Sequence, residues 1–247
     1  MMTERILRLD ENGLCTLVLN RPEKHNALDN AAFEELNHYL RLLAQDNGKV
    51  ECVVLRGAGK GFSAGADLAA LSGSATPLPP TYKPMVVEAL SRLPMPTIAA
   101  VHGVCFTGGL ELALGCDFIV ADAGTRFADT HGKWGLVAAW GLYPRLARRI
   151  GVSNAKRLSM TAREMNAEEA LRVGLVDLMA PAGELDKYLS DLVTQIRKNS
   201  GFSNRAVKQI YREIEGLPLD QALAHTHYRH PGVAPDFTAR VAAFTKG

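Results

Sequence analysis

The sequence predicts an α/β protein with a helical C-terminal extension, and three observations carry that expectation. Short apolar runs of strand type alternate with helix-period segments through the first part of the chain. From Leu142 onward the pattern is helical. Two glycine-rich turns also follow directly on apolar strands.

Composition sets the bounds. The chain has 247 residues, 47% of them hydrophobic, enough to bury a large core in one domain. Its 28 Lys+Arg against 26 Asp+Glu leave a net charge of +2, which with that hydrophobicity excludes a disordered chain. A nucleic-acid binder would show a basic excess or a basic stripe, and neither is present. Cys15, Cys52, Cys105 and Cys116 are widely spaced with no CxxC pair, so buried thiols in a reducing compartment are expected, not disulfides or zinc. The charged start MMTERILRLD lacks a secretory apolar stretch, and no run approaches the ~18 apolar residues of a membrane helix. A cytoplasmic protein without a membrane partner is expected.

The elements follow in order. Ile6–Leu9 and Thr16–Leu19 read as strands around the turn Glu11-Asn12-Gly13. A polar loop runs from Asn20 to Leu28, and Asp29 or Asn30 can cap a helix carrying Phe33, Leu36, Leu40 and Leu43 at helical spacing. Residues 51–56 read as a buried strand running into the glycine-rich stretch 57–67. The Pro/Ser-rich stretch 72–84 is expected to be a mobile surface loop. Thr97–Val101 is a further strand, followed by Gly103 and the second turn, Thr107-Gly108-Gly109. Residues 117–120 are expected to form a strand, with 125–128 pairing near it. Helices are expected over 145–150, 155–159, 167–172, 184–198, 204–215 and 219–227.

Glycine in each turn lets a ligand approach the backbone closely and leaves N–H groups free to face it. The second turn feeds a helix, so Gly108 and Gly109 can present N–H groups at the positive end of its dipole. One N–H from each turn could hold a developing oxyanion; the same pattern also serves ordinary strand-to-helix connections. Neither turn matches a P-loop or a dinucleotide fingerprint. Glu111 lies in the otherwise apolar run GLELALG. With Gly108 as N-cap it would be the N3 residue, stabilised by free N–H groups, or it could serve as a pocketed general acid/base. His131 follows Asp129, which could orient it or simply make a turn. The seven histidines show no HxxxH pair, so no metal site is expected.

Read together, LNRPEKHNAL (19–28), GFSAGADL (61–68), the run 99–122, RFADTHGKWGL (126–136), MNAEEALRVGLVD (165–177) and DFTARVAAF (236–244) resemble the enoyl-CoA hydratase/isomerase (crotonase) superfamily. The resemblance implies a spiral of ββα units with a helical C-terminal trimerisation region, divided here as residues 1–190 and 191–247. It implies a homotrimer or a hexamer made as a dimer of trimers. It also implies an acyl-CoA thioester as substrate, with no permanently bound cofactor beyond the coenzyme A it carries. The backbone N–H groups of Ala66 and Gly108 would form the oxyanion hole. Lys24, His25, Ala27, Ala64, Ala66, Asp67, Leu68 and Gly109 would line the CoA and substrate path, and the 72–84 stretch would flank the acyl pocket.

Members of hydratase type use two glutamates. The first falls on Glu111; at the second position this chain has His131, so Glu111 and His131 are the expected catalytic pair. An imidazole can still move a proton near neutral pH. The next stretch also departs from the family pattern, so Trp134 and Trp140 can reshape the acyl pocket or simply pack. The family's lysine after GAD is replaced within Leu68-Ala69-Ala70, which shifts the expected phosphate contacts to Arg21, Lys24 or a neighbouring subunit. Hydration of a 2-enoyl-CoA is the leading expectation. The replaced glutamate keeps isomerase, decarboxylase or hydrolase chemistry as the alternative, and an impaired acyl-CoA-binding subunit as a third reading.

Overall fold

The computed structural model describes residues 4–72 and 77–245. The chain opens with β1 (Ile6–Glu11) and β2 (Leu14–Leu19), an antiparallel hairpin. Its two-residue turn, Asn12-Gly13, takes positive φ at both positions (46° and 80°), the twist a tight hairpin needs. Helix α1 (Asn30–Ala44) follows, and Asp29 is its cap, accepting the Ala32 N–H at 2.9 Å. Asp29 also pairs with Arg5 and Arg21. Asp29→Ala is therefore expected to lower the unfolding free energy by about 1–2 kcal/mol in urea denaturation.

The chain continues through β3 (Cys52–Gly57), α2 (Leu68–Ser72), α3 (Tyr82–Ser91), β4 (Thr97–Val101), β5 (Val104–Phe106), α4 (Gly108–Ala113), β6 (Phe118–Asp122) and β7 (Arg126–Ala128). A 3₁₀ turn, His131–Trp134, comes next. Then follow α5 (Leu142–Ile150), α6 (Val152–Thr161), β8 (Met165–Asn166), α7 (Ala167–Arg172), β9 (Leu178–Ala180), α8 (Leu185–Lys198), α9 (Gly201–Ile214), α10 (Leu219–Tyr228) and α11 (Phe237–Phe244).

One sheet has six strands in the order β1-β2-β3-β4-β6-β9, parallel apart from the opening hairpin. A second sheet joins β5, β7 and β8. Alternation along the central strands assigns the two faces of the large sheet. Val53, Leu55, Ala99, Val101 and Ile119 pack with Phe33, Leu36 and Leu40 of α1 and with Val87 and Leu90 of α3. Cys52, Val54, Ile98, Ala100 and Val120 pack with Leu185, Leu189 and Val193 of α8. Both faces are covered, as a parallel sheet requires.

The structure corrects several expectations. Residues 72–84 are not one loop: α2 reaches Ser72 and α3 starts at Tyr82, while residues 73–76 lie outside the described residues. Pro84 is the third residue of α3, where its missing N–H has no helical partner to lose. Residues 126–128 pair with β5 and β8 in the small sheet, not beside β6. The helical tail contains β8 and β9, too short to show a period. The 190/191 division falls within α8. In α9, α10 and α11 no residue is buried, and Tyr211, Leu219, Leu223, Tyr228 and Phe244 are exposed.

Candidate active site

Three backbone segments are laced together to form the site. The loop after β2 runs beside the glycine-rich stretch after β3: Ala64 donates to His25 O, Leu28 to Gly65 O and Asp67 to Leu28 O, at 2.8–3.0 Å. That stretch bonds in turn to the chain around β5, through Ser63 N to Val104 O and Phe106 N to Ser63 O. Asn26 locks the first two segments. Its buried side chain donates to Ala58 O and Gly61 O and accepts from Arg21 N, with φ at 53°.

At the crossing, Gly65 has φ +99°, and a Cβ there would lie 1.8 Å from Thr107 Oγ1 and 2.9 Å from Gly108 N. The turns therefore meet backbone to backbone only because residue 65 lacks a side chain. Thr107 itself sits at φ 46°, a rare conformation for a β-branched residue. It is held there by its N–H to Ala128 O (2.9 Å) and its hydroxyl to Ala64 O (3.1 Å). Among the described residues, neither the Ala66 nor the Gly108 N–H donates to a partner. Two unpaired donors on adjoining turns can receive an oxygen that gains negative charge.

Glu111 lies on α4, three residues after Gly108, and is 1% exposed. Thr107 is the N-cap of α4, so Gly108 is N1 and Glu111 is N4, one residue beyond the expected N3 position. Its Oε1 accepts from Trp140 N (2.7 Å) and Leu142 N (3.2 Å). Its Oε2 is buried and has no hydrogen-bond partner among the described residues. Burial pushes the carboxyl up to about 7, against the opposing pull of the Trp140 N–H, His131 and the Leu142 N–H. Such a group can both take and give a proton near neutral pH.

His131 starts the 3₁₀ turn after β7, and its Nε2 stands 3.7 Å from Glu111 Oε2. Its Nδ1 is 2.6 Å from Asp129 Oδ1, and its backbone N–H donates to the same oxygen at 3.2 Å. Burial works to raise the Asp129 carboxyl, but hydrogen bonds, those from His131 among them, hold it below the usual carboxylate range. The structure thus brings Glu111 and His131 together and adds Asp129 behind them.

Other expected site residues are distributed unevenly. Trp140 is buried; its ring fills the space beside Gly108 and meets the Phe33 ring edge-on at 4.7 Å. Trp140 also borders a groove of about 1350 Å³ lined by Pro84, Met85, Pro144 and Tyr211. Trp134 is 61% exposed and is not part of that lining. Lys24, His25 and Leu68 are exposed on the rim, while Ala27, Ala64 and Ala66 are half-buried. Asp67 is committed to Arg21 (2.9 Å) and to the first turn of α2, and a Cβ on Gly109 would strike Ser63 O. Arg21 does not offer the expected phosphate contact, because its nearly buried guanidinium is held by Asp29, Asp67 and Ala27 O. Among the described residues no group of three or more His, Cys, Asp or Glu is set to hold a metal.

Sequence reasoning missed Trp140 N and Leu142 N, because backbone donors carry no residue signature. It also missed Thr107 and Asn26, whose roles arise from positive φ. The Asp129-Thr130-His131 spacing was the one available signal for the Asp129 contact.

A parallel sheet leading into laced turns, with two free N–H groups on those turns and a buried carboxylate on the helix that follows the second, defines a spiral α/β fold of crotonase type. The profile of the enoyl-CoA hydratase/isomerase family matches residues 10–229, and the chain belongs to that family. It is 31% identical over 228 residues to a short-chain-enoyl-CoA hydratase of Clostridium acetobutylicum, covering 91% of this chain and 87% of that one. It is 32% identical over 253 residues to the 1,2-epoxyphenylacetyl-CoA isomerase of Escherichia coli, covering 98% and 96%. The crystal structure of an enoyl-CoA hydratase from Bacillus anthracis superposes with a TM-score of 0.91 at 29% identity, covering 98% of this chain and 96% of the other.

Proposed function

We propose that this protein adds water across the double bond of a 2-enoyl-CoA, with Glu111 and His131 handling the protons. The observation that carries this reading is the buried, unpartnered Oε2 of Glu111 facing His131 Nε2 at 3.7 Å. A water placed between them can be deprotonated at one side while the substrate is protonated from the other. The thioester oxygen sits against the Ala66 and Gly108 N–H groups. Water oxygen bonds to C3, the double-bond electrons move through C2 onto the thioester oxygen, and the enolate collapses as C2 takes a proton. Loss of one such donor costs about 3–4 kcal/mol of barrier.

Coenzyme A runs along the exposed rim at Lys24 and His25 and past 64–68, and no permanent cofactor takes part. Trp140 bounds the acyl side. The uncovered apolar side chains of α9–α11 suit assembly into a homotrimer or hexamer. Four buried, unpaired thiols suit the reducing cytoplasm.

The test is direct. Purified protein mixed with crotonyl-CoA is expected to bleach the conjugated-thioester absorbance and yield only 3-hydroxybutyryl-CoA by mass spectrometry. A shifted double bond, free coenzyme A, carbon dioxide from a carboxylated substrate, or an unchanged panel of enoyl-CoA thioesters would each overturn the hydratase reading.

A further inference from the structure

Asp129 is more than a neighbour of His131. It is buried, and its single oxygen Oδ1 takes both the backbone N–H and the ring Nδ1 of the same residue. The two contacts fix where His131 starts and which way its ring faces. The backbone donor cannot reverse its role, so Oδ1 is an acceptor in this geometry.

We propose that Asp129 is a positioning residue that holds His131 in the Nδ1–H form, so that the Nε2 lone pair faces the space next to Glu111 Oε2 and the Asp129–His131 dyad, not an isolated imidazole, is the second base. The inference rests on the hydration reading and assigns its proton steps.

A neutral imidazole has one N–H and one lone pair, and its partners decide which nitrogen carries which. An ionised carboxylate only accepts, so Nδ1 must donate at 2.6 Å, leaving Nε2 to accept. Nε2 then takes a proton from the attacking water as its oxygen bonds to C3. The resulting imidazolium lies against the Asp129 carboxylate. Glu111, entering protonated, gives its proton from Oε2 to C2, and transfer from His131 Nε2 to Glu111 Oε2 resets both groups. The sequence balances: one water is consumed, with one proton and one hydroxyl added to the alkene. Asp129 stays ionised throughout and touches no reacting atom.

Among the described residues, Glu111 on α4 and Asp129 after β7 meet the ring. The Ser159 hydroxyl on α6 favours the charged Asp129 carboxylate, and Lys156 of the same helix borders a cavity of about 400 Å³ that Asp129 also lines. The wrong tautomer would aim an N–H at Glu111 and leave His131 no lone pair to take the water's proton. A tautomer error of this kind in an Asp–His pair costs a hydrolytic enzyme about 10⁴-fold in turnover.

The experiment compares Asp129→Asn, Asp129→Glu and Glu111→Gln with the unaltered enzyme, using crotonyl-CoA for rates and butyryl-CoA, which cannot be hydrated, for binding. Asp129→Asn is expected to lower kcat by about 10²-fold or more with KM and butyryl-CoA affinity little changed. Asp129→Glu, which keeps the carboxylate, is expected to recover part of the loss. In ¹⁵N-histidine NMR of the unaltered enzyme, His131 is expected to show protonated Nδ1 and unprotonated Nε2, and Asp129→Asn to lose that signature. An Nε2–H tautomer in the unaltered enzyme overturns the proposal even where Asp129→Asn fails to fold. So does an Asp129→Asn enzyme with normal kcat while Glu111→Gln is inactive, an outcome that leaves the hydration reading intact. If the unaltered enzyme hydrates no substrate, the hydration reading falls, and the NMR arm still reports the tautomer separately.

Discussion

Glu111→Gln is expected to cost about 10²–10⁴-fold in kcat while making the fold more stable above pH 7. The amide keeps an oxygen for the Trp140 and Leu142 N–H groups, so the loop stays in place. What disappears, on the proposed mechanism, is the proton that Oε2 would give and take back. The stability change follows from the raised carboxyl. Between an unfolded value of 4.5 and a folded value of about 7, the folded protein binds more protons than the unfolded chain. Stability therefore falls as pH rises through that window, and the cost is fully present above it. A difference of this size corresponds to about 3 kcal/mol. Denaturation at pH 8 and pH 4.5 should find Glu111→Gln more stable than the unaltered protein at the higher pH and nearly equal at the lower. Equal stability at both values, or retained turnover, would contradict the role given to this carboxyl.

The second large effect is expected at Gly65. Alanine there must tolerate φ +99° and place its Cβ 1.8 Å from Thr107 Oγ1. Thr107 cannot yield cheaply, being held by Ala128 O and Ala64 O in a strained conformation of its own. Movement at this crossing spreads the Ala66 and Gly108 N–H groups. Gly65→Ala is expected to lose about 1–3 kcal/mol of stability from backbone strain and about 10²–10³-fold in kcat. Adding Thr107→Gly removes the colliding hydroxyl, so the pair should be less damaging than the sum of the two changes. Simple additivity in denaturation would show that the collision is not the cause.

Much of this molecule was legible in its sequence, for identifiable reasons. The central strands β3 and β4 are strongly apolar, and α1 carries both a cap and a full apolar stripe, so local signals agreed with the final packing. The glycine turns were visible because glycine marks backbone that must be approached closely. Glu111 and His131 stood out as polar groups in unpromising surroundings. In the small sheet only β7 was anticipated, and beside the wrong neighbour, because β5, β7 and β8 are two or three residues long and are joined only by tertiary pairing. Pro84 misled because proline is read as a loop former, although the first turn of a helix accepts it. Trp134 and Trp140 looked alike in sequence. Only Trp140 turns inward, because its backbone N–H is drawn to Glu111 and its ring to Phe33 and Gly108.

The anchoring of Glu111 has one more consequence. With Oε1 tied to two N–H groups and the His131 ring clamped by Asp129, Glu111 Oε2 and His131 Nε2 keep fixed bearings relative to each other and to the backbone that holds them. A flat substrate has two mirror-related faces, and groups that cannot swing can address only one of them. In the proposed hydration, the handedness of the new carbon–oxygen bond would then follow from main-chain hydrogen bonds and one aspartate together with the seat of the thioester oxygen on the two turns.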